Sequence, residues 1–259
     1  MVFAGTSGWA YNTWRPAFYP DNLPPKKFLQ HYATRLNAVE VNYSFGHFIS
    51  ESALESWISD TPVGFLFCVK AHQSITHRRR LKNCGEPVSL FWNSIRSLES
   101  ARKLGAILFQ LPPNMKADAV LLGDFLSQFQ ELTGRAGRNK RPGARLRIAF
   151  EFRHTSWFQE SVYKTLRSHK AALCIAESDE LATPEVFTGN FVYFRLRRST
   201  YSPALRRAIA ANLRNHGAGK QHAFAFFRHE ERPDSPLWAE EVLRRAGIEN
   251  AKNQDGISR

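Results

Sequence analysis

The sequence has no long hydrophobic run and few cysteines. No stretch reaches the roughly 18 consecutive apolar residues that a membrane-spanning helix needs, so we expect no membrane association. The N-terminal residues 1–9 lack the basic start and long apolar segment of a secretory signal. Cys68, Cys84 and Cys174 are odd in number and have no metal-ligand spacing. Reduced cysteines and a cytoplasmic location are therefore expected.

Familiar catalytic and metal-binding motifs are also missing. The chain contains no Gly-x-Ser-x-Gly elbow, no His-x-His, His-x-x-Glu or His-Glu-x-x-His spacing. Nucleophilic hydrolysis by serine or cysteine is thus disfavoured. Potential metal ligands are scattered among cationic neighbours, which would repel a metal ion, so we expect neither a metal nor a cofactor. These potential ligands are Glu40, His72, Glu151, Glu177, Asp179 and His229.

Negative charge is scarce relative to positive charge. The chain has 36 Lys and Arg against 23 Asp and Glu, which gives a formal net charge of +13. Such a charge favours anionic partners, nucleic acid above all, through an attraction that salt weakens. The alternative is a basic surface that serves only solubility, because net charge indicates association and not a particular activity.

Short apolar runs alternate with longer amphipathic stretches along the chain. The amphipathic stretches carry apolar residues three and four positions apart, as one face of a helix requires, and several follow a Ser or Asp that can cap a helix. They predict helices at 24–36, 52–60, 87–104, 119–133, 161–170, 202–217 and 235–247. The apolar runs predict eight strands, at 2–9, 38–45, 64–72, 105–113, 146–154, 171–178, 191–198 and 222–230.

Strands that alternate with helices favour parallel pairing and right-handed crossovers. Eight such units in about 250 residues match a single α/β domain, a (β/α)8 barrel of the TIM type. An open doubly wound sheet is the alternative, but it usually has fewer strands and a Gly-rich phosphate loop. We expect the barrel to span residues 1–248, with a flexible tail at 249–259 and a mobile loop at 134–145.

Side-chain parity predicts which strand residues point into the barrel. Successive strand residues point to opposite sides, so in the fifth strand the larger apolar residues share one face and Glu151 and Arg153 share the other. Polar inward positions cluster near the C-terminal strand ends, where active sites of such barrels are built. We therefore expect one polar pocket that gathers Glu40, Asn42, Lys70, Gln110, Glu151, Arg153, Arg195 and Arg197.

Six motifs in this order resemble the DUF72 family, whose members are also called YecE-like proteins: GTSGW (5–9), FYP (18–20), EVNYSF (40–45), VKAHQSITH (69–77), LFQLPP (108–113) and EFRHTSW (151–157). The resemblance extends from about Phe3 to beyond Arg197. It implies a TIM-barrel fold and no particular chemistry, because the activity of the family is not established. Gly46 stands where members often carry an aromatic residue, and Arg228 and His229 stand where many carry an Asn-Asn pair. If that pair binds a ligand, this chain holds a more cationic variant.

Three residues of the predicted pocket are candidates for catalysis. Glu151 or Glu40 can act as a general base, and Lys70 stands on the strand next to that of Glu40. Glu151 and Arg153 lie two residues apart on one strand face, where they can bind the two ends of a polar ligand. The alternative is a structural network, since buried charges need partners to offset desolvation.

Other side chains near the predicted strand ends are candidates for ligand binding. Barrels often bind phosphate after the seventh and eighth strands, and arginine presents a planar fork suited to it. Aromatic rings among basic groups can stack on bases or sugars. Core packing and a solvated rim are the alternatives. The candidates are Ser7, Trp9, Asn42, His72, His77, Gln110, Arg153, His154, Trp157, Arg195, Arg197, Arg228 and His229.

The leading hypothesis is a barrel whose basic mouth binds a phosphate-containing ligand, namely single-stranded or damaged nucleic acid, and acts on it as a hydrolase. One alternative is an enzyme that acts on a small phosphorylated metabolite or sugar. Another is a non-catalytic binding or scaffold protein, in which the charges at the mouth pair only with each other. The sequence predicts neither the substrate nor the oligomeric state.

Overall fold

Eight parallel strands form a nearly closed barrel at the centre of the molecule. The computed structural model describes residues 1–134, 146–177, 182–219, 221–228 and 233–248. The strands are β1 Val2–Thr6, β2 Ala38–Val41, β3 Leu66–Lys70, β4 Leu104–Gln110, β5 Ile148–Glu151, β6 Ala172–Glu177, β7 Phe191–Leu196 and β8 His222–Phe227. Each strand from β2 to β7 pairs with the next one along the chain, and β8 also pairs with β1. The predicted barrel fold is confirmed. The expected mobile loop, apart from Gly134, and the expected tail lie outside the described residues.

Helices cover the outside of the barrel. Ser50, Asp118 and Ser202 each cap a helix by accepting a hydrogen bond from the backbone N–H three residues later. The helix predicted over 87–104 is instead two helices, which are separated at Ser94 and Ile95. The helices are α1 Phe28–Arg35, α2 Glu51–Ser59, α3 Gly85–Asn93, α4 Arg96–Ser100, α5 Ala119–Leu132, α6 Glu160–Ser168, α7 Pro203–Ala218 and α8 Asp234–Arg245. In the described part of the chain, no helix is long and apolar enough to span a bilayer.

The described part of the connection after β6, residues 182–190, is an extended segment instead of a helix. The Thr183 N–H donates to the Ala176 carbonyl at 2.9 Å. The Thr188 hydroxyl donates to the Ala171 carbonyl and accepts from the Leu173 N–H, both at 2.8 Å. The segment therefore runs back along β6 and satisfies part of its backbone. This agrees with the sequence, which has no amphipathic stretch there.

Strand side chains divide between two cores, as parity predicts. Val39, Phe109 and Phe150 belong to the outer core, which packs against the helices. The barrel interior combines aromatic rings with small residues, and Gly105 is needed because a Cβ there would lie 2.8 Å from the Cys68 sulfur. Large and small side chains thus alternate to fill the narrow interior. The interior core consists of Phe3, Ala38, Leu66, Cys68, Ala106, Leu108, Ala149, Ala172, Cys174, Phe191, Tyr193, Phe224 and Phe226.

The Tyr32 hydroxyl bridges β1 and β2, where the barrel closes. It accepts a hydrogen bond from the Thr6 N–H at 2.9 Å and donates one to the Ala38 carbonyl at 3.0 Å. A Cβ on Gly5 would lie 1.9 Å from the Ala38 carbonyl oxygen, so the two strands approach closely only because residue 5 is glycine. The Tyr32 side chain, from α1, thereby replaces a direct backbone hydrogen bond between β1 and β2.

The Asn37 side chain provides a second bridge between these strands. Its amide oxygen accepts from the Ala4 N–H at 3.0 Å, and its amide nitrogen donates to the Val2 carbonyl at 2.9 Å. Direct backbone pairing resumes at the mouth, in a bridge between Ser7 and Glu40. We refer to this side-chain-bridged junction of β1 and β2 as the seam.

We expect Tyr32→Phe to lower the free energy of unfolding by about 1–3 kcal/mol, because the buried Thr6 N–H and Ala38 carbonyl lose their shared partner. Urea denaturation measures the change. Tyr43→Phe is the control. Because Tyr43 is 59% exposed, the loss of its hydroxyl should change the free energy of unfolding by no more than about 0.5 kcal/mol. Equal stabilities of the Tyr32→Phe variant and the wild type would show that the bridge contributes nothing.

Candidate functional site

A cavity of about 890 Å³ opens at the mouth of the barrel, beyond the C-terminal strand ends. Its wall combines residues of the strands β3 to β7 with residues that follow β2, β4, β5, β7 and β8. The polar inward positions predicted from parity therefore converge on one opening. The lining residues are Asn42, Phe45, Lys70, Gln110, Pro113, Glu151, Phe152, Arg153, Ala176, Glu177, Arg195, Arg197 and Arg228.

Glu40, the third residue of β2, is a fully buried carboxylate below this cavity. The Ser7 hydroxyl donates to its Oε1 at 2.7 Å, and the Tyr193 hydroxyl donates to its Oε2 at 2.8 Å. Arg195 donates from Nε and Nη2, at 2.7 Å for the closest contact. Arg197 adds a contact at 2.9 Å to Oε1. Glu40 is thus saturated with donors, as a buried charge requires.

Arg195 joins this carboxylate to a second one, Glu151, at the end of β5. Its Nη1 donates to Glu151 Oε2, while its other nitrogens bind Glu40. The opposite oxygen of Glu151 accepts from Gln110 Nε2 at 2.7 Å and from Arg153 Nε at 3.0 Å. The side chains of Arg195 and Glu151 are each 5% exposed. The guanidinium group is therefore a buried bridge between two carboxylates from different strands.

The arginines decide the ionisation of both carboxyl groups. Burial alone would raise the pKa of Glu151, but Arg195 and Arg153 outweigh it and lower that pKa to about 2. Burial also opposes ionisation of Glu40, yet Arg195 and Arg197 hold its pKa well below the usual range. Both groups are ionised at neutral pH. A general base works best with a pKa near the operating pH, so neither carboxylate is well matched to that predicted role.

Lys70, the last residue of β3, is better matched than either carboxylate to the role of a general base near neutral pH. Its Nζ donates to Gln110 Oε1 at 2.8 Å and lies 4.0 Å from the centroid of the Phe45 ring. Burial and the nearby charge of Arg195 lower the pKa of Lys70 to about 8. A proton can therefore be gained or lost there close to neutral pH.

Several predicted ligand-binding residues lie at or near the cavity. Asn42 contributes to the wall, and its buried Oδ1 has no hydrogen-bond partner among the described residues. Arg228 also lines the wall and is exposed. His77 packs edge-on against Phe45 at 4.9 Å. Burial and the neighbouring cations, Lys70 first among them, lower the pKa of His77, so it is neutral at pH 7.

His154 and Trp157 do not line the cavity, although both follow β5. The Trp157 ring is buried, stacks on Phe152 at 4.4 Å and donates from Nε1 to the Met115 carbonyl at 2.7 Å. His154 caps a short 3-10 turn by accepting from the Ser156 N–H. The proposed aromatic surface of Trp157 is thus inaccessible to a base or sugar. Strand parity stops at Glu151, where β5 ends, and so cannot place these residues.

Three other candidates have structural contacts. Ser7 is buried against Glu40, and the half-buried Trp9 packs edge-on against Trp57 at 5.1 Å. His72 is buried, stacks on Phe48 at 4.5 Å and contacts the Ser74 hydroxyl. His229 lies outside the described residues. Within the described ranges, no group of three or more His, Cys, Asp or Glu side chains is arranged to hold a metal ion.

Tyr193 and Phe45 contribute to the site but are not among the predicted site residues, and the same holds for four other residues of the cavity wall, Pro113, Phe152, Ala176 and Glu177. Parity turns Tyr193 inward, and its alternation with Arg195 is the signal that could have joined it to Glu40. Phe45 lies beyond β2 in a 3-10 turn, Tyr43–Phe45, and its ring covers Lys70. No sequence pattern indicates that contact.

A basic segment flanks the mouth after β3. Arg78, Arg79 and Arg80 are exposed, and Arg80 donates to Asn114 Oδ1 at 3.1 Å. Asn114 itself follows β4, so the segment lies on the mouth side of the barrel. Arg80 adopts a φ of 50°, a left-handed conformation that is uncommon for a residue with a side chain. The backbone here bends sharply and presents adjacent cations to solvent.

Known proteins share the sequence family and the fold of this chain. The family model described as "Protein of unknown function DUF72" matches residues 3–258. The UPF0759 protein YunF of Bacillus subtilis is 28% identical over 232 residues, 85% of this chain and 72% of that protein. A solved DUF72 family protein from Thermotoga maritima has a TM-score of 0.73 at 24% identity, covering 94% of this chain and 98% of that one. One from Enterococcus faecalis has a TM-score of 0.76 at 15% identity, covering 96% of each chain. At these identities the solved structures show a shared fold alone.

We expect Glu151→Gln to weaken the acid dependence of stability. The folded pKa of Glu151 is about 2, below the usual 4.5, so the ionised group stabilises the fold above pH 4.5 and this contribution falls as the pH drops towards 2. Between pH 6 and pH 3 the wild type should lose about 2 kcal/mol more than the variant. Denaturant unfolding at each pH measures this. Glu160→Gln, at an exposed ion pair with Arg167, should show the same dependence of the free energy of unfolding on pH as the wild type. The same dependence in Glu151→Gln would contradict the lowered pKa of Glu151.

Proposed function

The chain belongs to the DUF72 family, a family of unknown function, and we propose that its barrel mouth binds the phosphate groups of a nucleic acid. The observation that carries the proposal is the charge of the cavity. Counting described residues only, five cationic side chains line the cavity: Lys70, Arg153, Arg195, Arg197 and Arg228. Two carboxylates, Glu151 and Glu177, also line it, and a third, Glu40, is buried against Arg195, which leaves an excess of two positive charges.

The cations of the cavity have different roles in this proposal. Arg195 is occupied by two carboxylates and holds the wall together. Arg197 uses its Nη2 for Glu40 and Ser7, which leaves its other nitrogens for a ligand. Arg153 binds Glu151 through Nε, and its side chain is 46% exposed. Arg153 and Arg197 therefore supply guanidinium groups that a phosphate oxygen can approach.

Features outside the cavity favour a polymer as the ligand. The exposed segment Arg78–Arg80 extends the positive surface beyond the mouth. Tyr43 and Phe48 lie after β2 and are 59% and 41% exposed. Exposed rings on a cationic protein provide stacking surface for unpaired bases, as in single-strand binding. A single-stranded nucleic acid uses the cavity, the basic segment and the rings together.

A small phosphorylated sugar or metabolite is the second candidate. The cavity volume of about 890 Å³ falls within the range of small-molecule sites, roughly 300–1,000 Å³. A scaffold role without a ligand is less well supported, because among the described residues of the cavity the cations outnumber the carboxylates. If the protein is a hydrolase, Lys70 is better suited than Glu151 or Glu40 to move a proton near neutral pH.

We expect a labelled single-stranded oligonucleotide to bind at low salt and to dissociate as salt rises from about 50 to 200 mM, because bound cations release counterions. Arg153→Ala should weaken binding and reduce the slope of log affinity against log salt by about 0.7 for each phosphate that the variant fails to neutralise. Fluorescence anisotropy measures both quantities.

The matched control is Arg167→Ala. The Arg167 side chain is 44% exposed, close to the 46% of Arg153, but it lies near the end of α6, on the far side from the mouth. The Arg167→Ala variant should bind the oligonucleotide like the wild type. Absence of binding at low salt would overturn the nucleic-acid proposal. Thermal stabilisation by inorganic phosphate or glucose 6-phosphate without oligonucleotide binding would favour the second candidate.

A further inference from the structure

Lys70 is a lysine in the wall of the cavity. Its Nζ has a neutral acceptor, Gln110 Oε1 at 2.8 Å, and the face of the Phe45 ring at 4.0 Å. Among the residues that the structure describes, no carboxylate is within ion-pair distance of this nitrogen. A lysine that serves only structure usually has every N–H of its ammonium group hydrogen-bonded. Here the charge is exposed to a cavity that admits a ligand.

Glu151 fixes the orientation of the Gln110 amide. Because Glu151 is ionised it can only accept, so the Gln110 NH2 group must face it, at 2.7 Å. The amide oxygen then faces Lys70. Glu151 thus reaches Lys70 only through a neutral group. The contact aims the amine without stabilising the ammonium form as a direct carboxylate contact would.

Burial, more than any neighbouring charge, favours the neutral amine of Lys70. Burial and Arg195 lower the pKa of Lys70 to about 8, and Arg153 acts in the same direction, whereas Glu151 and Glu40 act against it. His77 also lies nearby and is neutral at pH 7. At that pH the fraction of free amine on Lys70 is on the order of 100-fold larger than on a solvent-exposed lysine.

Lys103 shows what a structural buried lysine looks like in the same chain. Its Nζ donates to three oxygens, the Thr61 carbonyl and hydroxyl at 3.0 Å and the Pro62 carbonyl at 2.7 Å. It precedes β4 and does not line the cavity. Every donor of Lys103 is used, whereas Lys70 faces open space.

We propose that Lys70 is a nucleophilic amine that forms an imine with an aldehyde or ketone group of a phosphate-bearing ligand in the cavity. This inference rests on the proposed function, in which Arg153 and Arg197 hold the phosphate. The ligand chemistry has two sources, the aldehyde of an abasic sugar in single-stranded DNA and a free sugar phosphate.

The reaction is balanced without a further reactant. The Nζ lone pair attacks the carbonyl carbon and forms a C–N bond while the carbonyl π electrons move to oxygen, giving a carbinolamine. The two amine hydrogens then leave with that oxygen as water, and the C=N bond forms. Hydrolysis reverses the sequence. Added borohydride delivers a hydride to the imine carbon and converts it to a stable secondary amine.

The full chain is treated with sodium borohydride in the presence of one of three probes: a single-stranded oligonucleotide with one abasic site, glyceraldehyde 3-phosphate, or glycolaldehyde, which has no phosphate. Peptide mass spectrometry locates the adduct. We expect modification of Lys70 ahead of Lys103 and of the surface lysines, and at least tenfold less adduct with glycolaldehyde than with the better phosphate-bearing probe. Which of the two phosphate-bearing probes reacts faster identifies the source.

Lys70→Arg should abolish this adduct, with an unchanged melting temperature as the test of folding. If Lys70→Arg does not fold, the wild-type adduct map and its pH profile decide the matter. Trapping at Lys70 should rise through about pH 8. Oligonucleotide binding without an adduct on Lys70 would overturn the imine and leave the proposed function intact. An adduct that forms equally well with glycolaldehyde would overturn the phosphate requirement.

Discussion

The site depends on one buried guanidinium group, Arg195, held between Glu40 and Glu151. These three residues come from β7, β2 and β5, so the interaction joins distant strands of the barrel at the mouth. Burying any one of these charges alone would cost several kcal/mol. Together they are compensated, because every contact is a charge-assisted hydrogen bond. Since the bridge carries one cation and two carboxylates, it also needs the surrounding arginines, Arg153 and Arg197, to balance its charge.

This arrangement separates rigidity from reactivity. The carboxylates that the arginines grip are locked in the ionised state and serve as fixed anchors. Lys70, Arg153 and Arg197 are positioned, directly or through Gln110, by these carboxylates but keep donors that the carboxylates do not use. Gln110 illustrates the division, because one end of its amide is bound to Glu151 and the other orients Lys70. A wall of this kind is preorganised, because its side chains are held in place by their own hydrogen bonds.

The fold and the convergence of the site could be predicted from the sequence, because period-two patterning is a local property of each strand. Glu40, Lys70, Glu151 and Arg195 meet at one mouth for this reason. Parity has no force beyond a strand end, which is why the prediction that Trp157 lies at the pocket is wrong and the ring is instead buried against Phe152. Nor can a pattern show which charges touch. Glu151 is held ionised and Lys70 has a lowered pKa because of neighbours that are distant in the sequence.

The seam between β1 and β2 gives the barrel one junction of a different character. Elsewhere each strand is bound to its neighbours by main-chain rungs, whereas here the hydroxyl of Tyr32 and the amide of Asn37 take over much of that role. Ser7 and Glu40 lie at its upper end, one step from Arg195. Local opening of the barrel at this junction would therefore disturb the contacts between Glu40 and Arg195. Amide hydrogen exchange along β1 would then measure how often these contacts at the mouth are broken.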